Sequence, residues 1–446
     1  MAGVLPANHP LETLSIPRKP RDVLIVMTRL PREGCNKTRL IPALGPSGAT
    51  AMHGRLARHA VGRASSYAMM HPGTSLEVHL EGGSPDEGCA WLGDVECIAQ
   101  HQGSLGQRMQ AAADRAFKRG AKRVVIIGTD CPSLDEPALS EAFDALDKND
   151  VVYGPAADGG YVLVGLSKSC PQLFDDIAWG ESTVLEQSLT AARESFLKVA
   201  MLEVREDVDT PADLPAAETA LAAGESVSVI IPTLNEEGHL PFLLEQLKRC
   251  DPHEIIIADG GSRDRTVEIA EQSGARVVHA AKGRASQMNL AAASATGEFL
   301  LFLHADTMPP TDYTSIIRSI LHAPCNSAGA FGFSLSGKLS SAPLIERMVN
   351  LRCRLFQTPY GDQGLFLRRR MFRHAGRFPD WPVLEDLHLV RLLRRIGRVQ
   401  TSSEAARTSP RRWQHGGTIR TFLRHQLMLA AYHIGVPARH IAKIRP

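Results

Sequence analysis

Val227-Ser-Val-Ile-Ile-Pro-Thr-Leu-Asn-Glu-Glu237 is a largely apolar run that turns polar at its carboxyl end. A parallel strand covered on both faces reads this way, because neither face needs to meet water. The rhythm then repeats. Further strands are expected over 254–258, 275–278 and 298–303, with helical patterns over 237–249, 264–273 and 284–295. Strands alternating with helices predict a mainly parallel α/β sheet with helices on both faces.

Upstream the same rhythm appears once before. Val23-Leu-Ile-Val-Met27, Val124-Val-Ile-Ile127 and Val151-Val-Tyr153 are apolar runs, with helical patterns over 104–118 and 136–146. In each half an apolar strand runs into an aspartate, Ile126-Ile-Gly-Thr-Asp130 and Leu301-Phe-Leu-His-Ala-Asp306. Ligands of open α/β sheets sit beyond the carboxyl ends of the strands, where both aspartates would lie.

The chain has 446 residues, which suits two domains. Residues 1–20, with four prolines and no apolar core, read as a disordered lead-in without a secretion signal. Residues 21–215 form the first expected domain and 227–446 the second; between them the Ala-rich stretch 211–226 reads as a terminal helix and then a linker, set at 216–226 with few contacts across it. Eight scattered cysteines form no Cys-x-x-Cys pair, so a zinc site or disulfide framework is not expected and a reducing, cytoplasmic setting is. No apolar run has the length of a membrane span. The net charge of +2 argues against a nucleic-acid partner, although residues 366–446 hold 17 Lys/Arg against 4 Asp/Glu. The stretch 419–432 mixes Arg420 and Arg424 with Phe422, Leu423 and Leu427, as a packed terminal helix or a weak peripheral membrane contact would.

Four segments of the second half fall at expected strand ends. Pro232, Asn235 and Glu236 follow the first strand, and Asp259-Gly-Gly-Ser-Arg-Asp264 follows the next. Asp259 suits hydrogen bonds from a base or ribose, and the glycines allow close backbone approach. Lys282-Gly-Arg-Ala-Ser-Gln287 opens a helix, where free amides and the cation of Arg284 favour phosphate. His304-Ala-Asp306 offers a carboxylate to a divalent metal bridging a diphosphate, and His304 either joins that contact or satisfies a buried polar one.

These segments resemble glycosyltransferase family 2, with the glycosyltransferase A fold, and within it the subgroup named for arsenosugar biosynthesis. The resemblance covers about 227–446 and includes Gly361-Asp-Gln-Gly364, Leu384-Glu-Asp386 and Ser409-Pro-Arg-Arg-Trp413. It implies Asp386 as catalytic base, with Glu385 beside it, and Asp306 as ligand to Mg or Mn. It implies a donor site containing Gln287 and Asp362 as well. Arg411, Arg412 and Trp413 fit either a diphosphate or acceptor contact or a basic surface patch. Arg265 stands where the subgroup has glycine.

In the first half, Gly34, Lys37 and Arg39 lie on a loop able to cradle phosphates. Gly128-Thr-Asp-Cys-Pro-Ser-Leu134, Gly154-Pro-Ala-Ala-Asp-Gly-Gly-Tyr161 and Asp207-Val-Asp-Thr-Pro-Ala-Asp-Leu214 follow. Together they resemble the nucleotidyltransferase-like group related to phospholactate guanylyltransferase and molybdenum-cofactor guanylyltransferase, which has arsenosugar-associated members. The resemblance implies Asp130 and Asp209 as metal ligands and Asp158 as a further carboxylate. Thr28-Arg29 and Glu33 depart from that pattern, and a carboxylate at Glu33 would repel phosphate.

The combined expectation is two tandem Rossmann-like, glycosyltransferase-A-type domains in a bifunctional enzyme of sugar-conjugate biosynthesis. One half would transfer a sugar from a nucleotide sugar to a small or lipid acceptor with inversion. The other would bind or make an activated nucleotide. The alternatives are an inert N-terminal scaffold, or a non-catalytic protein that binds a membrane or partner.

Overall fold

A computed structural model describes residues 21–337, 341–409 and 418–444, so the expected lead-in over 1–20 lies outside the described residues. The first half runs β1 (Asp22–Arg29), α1 (Ile41–Met70), β2 (Thr74–Glu81), α2 (Pro85–Leu92), β3 (Glu96–Ala99), α3 (Leu105–Lys118), β4 (Arg123–Ile127) and α4 (Glu136–Ala145). It continues with β5 (Val151–Pro155), β6 (Tyr161–Leu166), α5 (Val184–Glu194), β7 (Val199–Met201) and α6 (Leu214–Gly224). The strands order as β3-β2-β1-β4-β6-β5-β7, all parallel except β6, which lies antiparallel between β4 and β5. Local chemistry sets several of these starts. Ser104 caps α3 by accepting from the Gln107 amide while the Gln107 side chain accepts from the Ser104 amide, which satisfies two otherwise orphaned donors.

The second half runs β8 (Val227–Thr233), α7 (Leu240–Lys248), β9 (Glu254–Asp259), α8 (Thr266–Gln272), β10 (Arg276–His279), α9 (Arg284–Ser294), β11 (Phe299–Phe302), β12 (Thr307–Met308) and α10 (Tyr313–His322). Then come β13 (Asn326–Leu335), α11 (Ala342–Phe356), β14 (Leu365–Arg368), α12 (Arg369–His374), α13 (Glu385–Ile396), β15 (Arg398–Thr408), α14 (Thr418–His433) and α15 (Ala438–Ile441). The order is β10-β9-β8-β11-β14-β13-β15-β12, with parallel pairing from β10 through β11 and β14 antiparallel to both its neighbours. Each sheet is buried on both faces, as its apolar runs require. In the second half, Val229 and Ile231 face one helical layer and Ile230 the other.

The segment expected as a linker is not one. Residues 214–224 form α6, whose Ala217 and Leu221 pack against Met52 and Leu56 of α1. The Arg55 guanidinium forks onto Glu218 at 2.7 and 3.0 Å. Gly224 is buried, and a Cβ there would meet the ring of His59. The two sheets also share a seam. Met69 and Met70 of α1 pack on the second core, and the Cys325 amide donates to the Ser65 hydroxyl at 2.9 Å. The reason lies in α1: its Gly62 is buried and admits α10 closely, since a Cβ there would stand 3.1 Å from the His322 carbonyl oxygen.

The seam holds two histidines without charge. His322 is pushed down to about 3 by burial and by Arg368, Arg63 and Arg58. His59 lies well below its ordinary value through burial and through Arg63, His322 and Arg368. The cluster is completed by Arg318 and Glu225. A folded-state pKa below the unfolded one means that protons favour the unfolded chain. The stability these rings contribute is therefore complete above the unfolded value near 6.5 and falls as pH drops below it, by at most about 1.4 kcal/mol per pH unit per histidine. Glu225, whose carboxyl burial raises, acts in the opposite sense towards the acid end. Calorimetric melting is expected to show a Tm that falls from pH 7 to pH 5, and His322→Phe is expected to flatten the fall. A wild-type Tm constant over that range would contradict it.

Candidate functional site

At the carboxyl ends of β8 and β11 lies a cleft of about 630 Å³. Its wall includes Pro232, Glu236, Lys282, Arg284, His304 and Asp306. Backbone order here comes from polar staples. Asn235 adopts a left-handed backbone, φ 57°, and its side-chain oxygen accepts from the Arg263 amide at 2.8 Å. The amides of Asn235 and Glu236 donate to the hydroxyls of Ser262 and Thr266. Asn235, expected to contact a donor, thus ties the loop after β8 to the loop after β9.

Asp259 is buried at the end of β9 and accepts from the Gly261 amide at 2.9 Å and from the Ser262 hydroxyl at 2.5 Å. Burial works against its charge, but these bonds and nearby His279 outweigh it and hold the carboxyl below its usual range. Gln287 is on the cleft wall, and its amide nitrogen donates to the carbonyls of Thr233 and Ala258 at 2.9 and 2.7 Å, which joins β8 to β9.

Glu385 and Asp386, adjacent in sequence, part company at the start of α13. Glu385 is buried and pairs with Arg284 at 2.7 Å, so the cation expected to meet phosphate already has a protein carboxylate beside it. Asp386 turns the other way. Its Oδ2 accepts from the Gly361 amide at 2.7 Å and its Oδ1 from the Leu387 amide at 2.8 Å. A Cβ on Gly361 would stand 2.9 Å from Asp386 Oδ2 and 3.1 Å from His304 Nε2, so only glycine lets these two side chains converge. The turn is locked by buried Gln363, which accepts from the Tyr360 amide and donates to the Phe331 carbonyl. Asp362 lies on that turn, outside the cleft wall.

Asp306 stands on the wall, its Oδ1 3.5 Å from the Thr307 hydroxyl. One carboxylate, with His304 nearby and open space in front, fits Mg or Mn, which take most of their ligands from substrate phosphate and water. Arg411, Arg412 and Trp413 lie outside the described residues. Asp380 and Trp381 on the wall were missed by the sequence reading; their signal was their position just ahead of the Glu-Asp pair.

The first half has its own cleft of about 580 Å³ beyond β1 and β4. Lys37, with φ 47°, reaches Asp130 and Asp209 at 3.0 Å each and donates to the Val208 carbonyl. Burial opposes its charge, but the two carboxylates outweigh burial and raise its pKa. Arg39 pairs with Asp209 at 3.2 Å. Asp130, expected as a metal ligand, therefore holds a lysine. The carboxylates that converge are Asp158, Asp207 and Asp209, each offering an oxygen within 4.8 Å of the others. Asp207 was missed as a ligand because its role depends on neighbours about fifty residues upstream. Burial, then Asp158 and Asp209, push its carboxyl up to about 6. Three carboxylates this close together, one of them with a raised pKa, suit a divalent cation. Glu33 is exposed outside the wall; Glu81, which shares the wall with the four aspartates, pairs with Arg29 and Arg108 at 2.6 Å each.

The comparisons with known proteins divide at the same place as the sheets. Residues 67–181 match a family described as an uncharacterized protein conserved in bacteria, and residues 228–372 match Glycosyl transferase family 2. A PGL/p-HBAD biosynthesis glycosyltransferase of Mycobacterium tuberculosis (strain ATCC 25177 / H37Ra) is 40% identical over 176 residues, 35% of this chain and 64% of that protein. Glucosyl-3-phosphoglycerate synthase of Mycolicibacterium smegmatis is 35% identical over 171 residues, 32% of this chain and 54% of that protein. The chain thus spans less than two thirds of the length of these relatives. Among solved structures, glucosyl-3-phosphoglycerate synthase from Mycobacterium tuberculosis, in complex with Mn2+, uridine diphosphate and glucosyl-3-phosphoglycerate, is 20% identical. It covers 48% of this chain and 82% of its own, with a TM-score of 0.37. Among the described residues, no helix is long and apolar enough to cross a membrane.

Proposed function

We propose that the second half transfers a sugar from a nucleotide sugar to an acceptor hydroxyl with inversion, and that the first half binds or makes an activated nucleotide. The observation that carries the reading is the convergence of Asp386 and His304 on Gly361, at the edge of the cleft that Asp306 lines. Inverting transfer needs one base to take the acceptor proton and one site that stabilises the leaving diphosphate, on opposite faces of the sugar.

The nucleoside is read as lying against Pro232 and Glu236 of the cleft wall, with buried Asp259 behind them at the end of β9, and the diphosphate at the amino end of α9, where Lys282 and Arg284 stand. Mg or Mn held by Asp306 would offset the charge that builds on the diphosphate. Asp386, at the start of α13, takes the acceptor proton. In the first half, Lys37 and Arg39 would face nucleotide phosphates, with Asp158, Asp207 and Asp209 around a divalent cation. Both steps would serve sugar-conjugate assembly, a reading that the sequence resemblance supports.

The test of the transfer reading is the product's anomeric configuration. With the full chain, Mn and a panel of α-linked nucleotide sugars, proton NMR is expected to show a β-linked product. An α-linked product would remove Asp386 from the role of sole base.

A further inference from the structure

Helix α11 carries two apolar faces. One packs into the protein, with Ala342 and Ile345 against Phe333 and Leu335 of β13. The other faces outward: Leu344, Met348, Leu351 and Leu355 are 63, 44, 53 and 65% exposed, and Phe356 is 58% exposed. Their spacing of four, three and four residues sets the first four in one stripe along the helix. The remaining exposed large apolar residues among those described are scattered, as single ones on soluble proteins are.

The polar residues of α11 are arranged the reverse of an ordinary surface helix. Its acid, Glu346, turns inward and accepts from the Ser334 hydroxyl at 3.0 Å and the Leu335 amide at 2.7 Å. Asn350 turns inward too, onto the Phe333 backbone. Arg347 and Arg354, exposed and seven residues apart, follow one edge of the stripe. An apolar stripe edged by cations and without an outward acid is complementary to an anionic lipid surface, where the side chains enter the acyl boundary and the guanidiniums meet headgroups. Pairing with a second copy through α11 would bring arginine edges together with no acid to meet them.

We propose that α11 is a membrane-docking helix that seats the protein on anionic bilayers. Its position gives the docking a purpose. The chain leaves α11 at Gln357 and within four residues reaches Gly361, whose amide holds Asp386. Arg352 of α11 stacks on Tyr360 in that connection, 3.6 Å from the ring centre. Helix α14 packs Met428 and Tyr432 into the cluster that contains Tyr360, and it leaves Leu427 exposed. Docking would thus place the base edge of the cleft at the lipid surface. Resting on the proposed transfer reading, the acceptor is a hydroxyl carried by a lipid.

The test is flotation of the full chain with phosphatidylcholine vesicles, with and without phosphatidylglycerol, at low and high salt. The protein is expected to float with the anionic vesicles at low salt and less at high salt. Leu351→Glu/Leu355→Glu, both at exposed positions, is expected to lower the bound-to-free ratio by about tenfold or more while the melting temperature stays unchanged. Nucleotide-sugar binding by the same variant, measured by calorimetry, is expected to equal wild type, so loss of docking and loss of donor binding are read separately. Absence of flotation with anionic vesicles overturns the proposal. So does equal flotation of the variant, which would assign the contact to other basic residues. A dimer that the variant dissociates, without vesicle binding by either protein, would make α11 an interface between copies.

Discussion

Asp386→Asn is expected to lower kcat by a factor on the order of 10²–10⁴ and to leave donor affinity nearly unchanged. The asparagine keeps the size of the side chain and its oxygen can still accept from the Gly361 amide, so the turn at 361–363 should persist. What it loses is the ability to take a proton. Donor affinity should hold because the side chain is directed at Gly361 and not at Arg284. Glu385→Gln is expected to behave differently. It removes the buried partner of Arg284 and so should weaken donor binding and lower stability, with a smaller loss of turnover. Steady-state kinetics and calorimetric donor titration of both variants would separate the roles. Full turnover by Asp386→Asn with an inactive Glu385→Gln would reverse them.

Asp306→Asn is expected to abolish the Mn dependence of nucleotide-sugar binding. An amide presents no net charge to a cation, and Asp306 is the acid that the cleft wall places beside His304. The fold should be unaffected. The Asp306 carboxylate has a long 3.5 Å contact with Thr307, whereas its backbone carbonyl, which substitution leaves in place, accepts from the Ser409 amide. Donor titrations with Mn and with a chelator are expected to differ for the wild type and to coincide for the variant, at equal melting temperatures. Undiminished Mn dependence would place the metal elsewhere.

The sequence by itself determined the alternation of strands and helices, and with it the places where ligands can bind. Val227–Thr233, Glu254–Asp259 and Phe299–Phe302 are strands because short apolar runs end in polar residues, a local signal. The start of α3 was legible for the same reason, since Ser104 and Gln107 lie within one turn. Strand ends then located Asp130, Asp259 and Asp306 without any three-dimensional information.

Tertiary structure decided what those side chains touch. The antiparallel strands β6 and β14 gave no distinct local pattern, because strand direction depends on the route of the connection and not on composition. Lys37 meets Asp209 across 172 positions, and Glu385 meets Arg284 across about a hundred. Neither pairing leaves a mark in the residues around it. Glu385 and Asp386 are adjacent in the sequence, yet the first turn of a helix directs them to different partners, which adjacency does not reveal. The Ala-rich stretch before Val227 read as a terminal helix running into a linker over 216–226; the helix continues to Gly224, because Ala217 and Leu221 pack against α1, a contact no local residue announces. A side chain's type fixes which contacts it can make; the fold, by closing long loops, fixes which of them it makes.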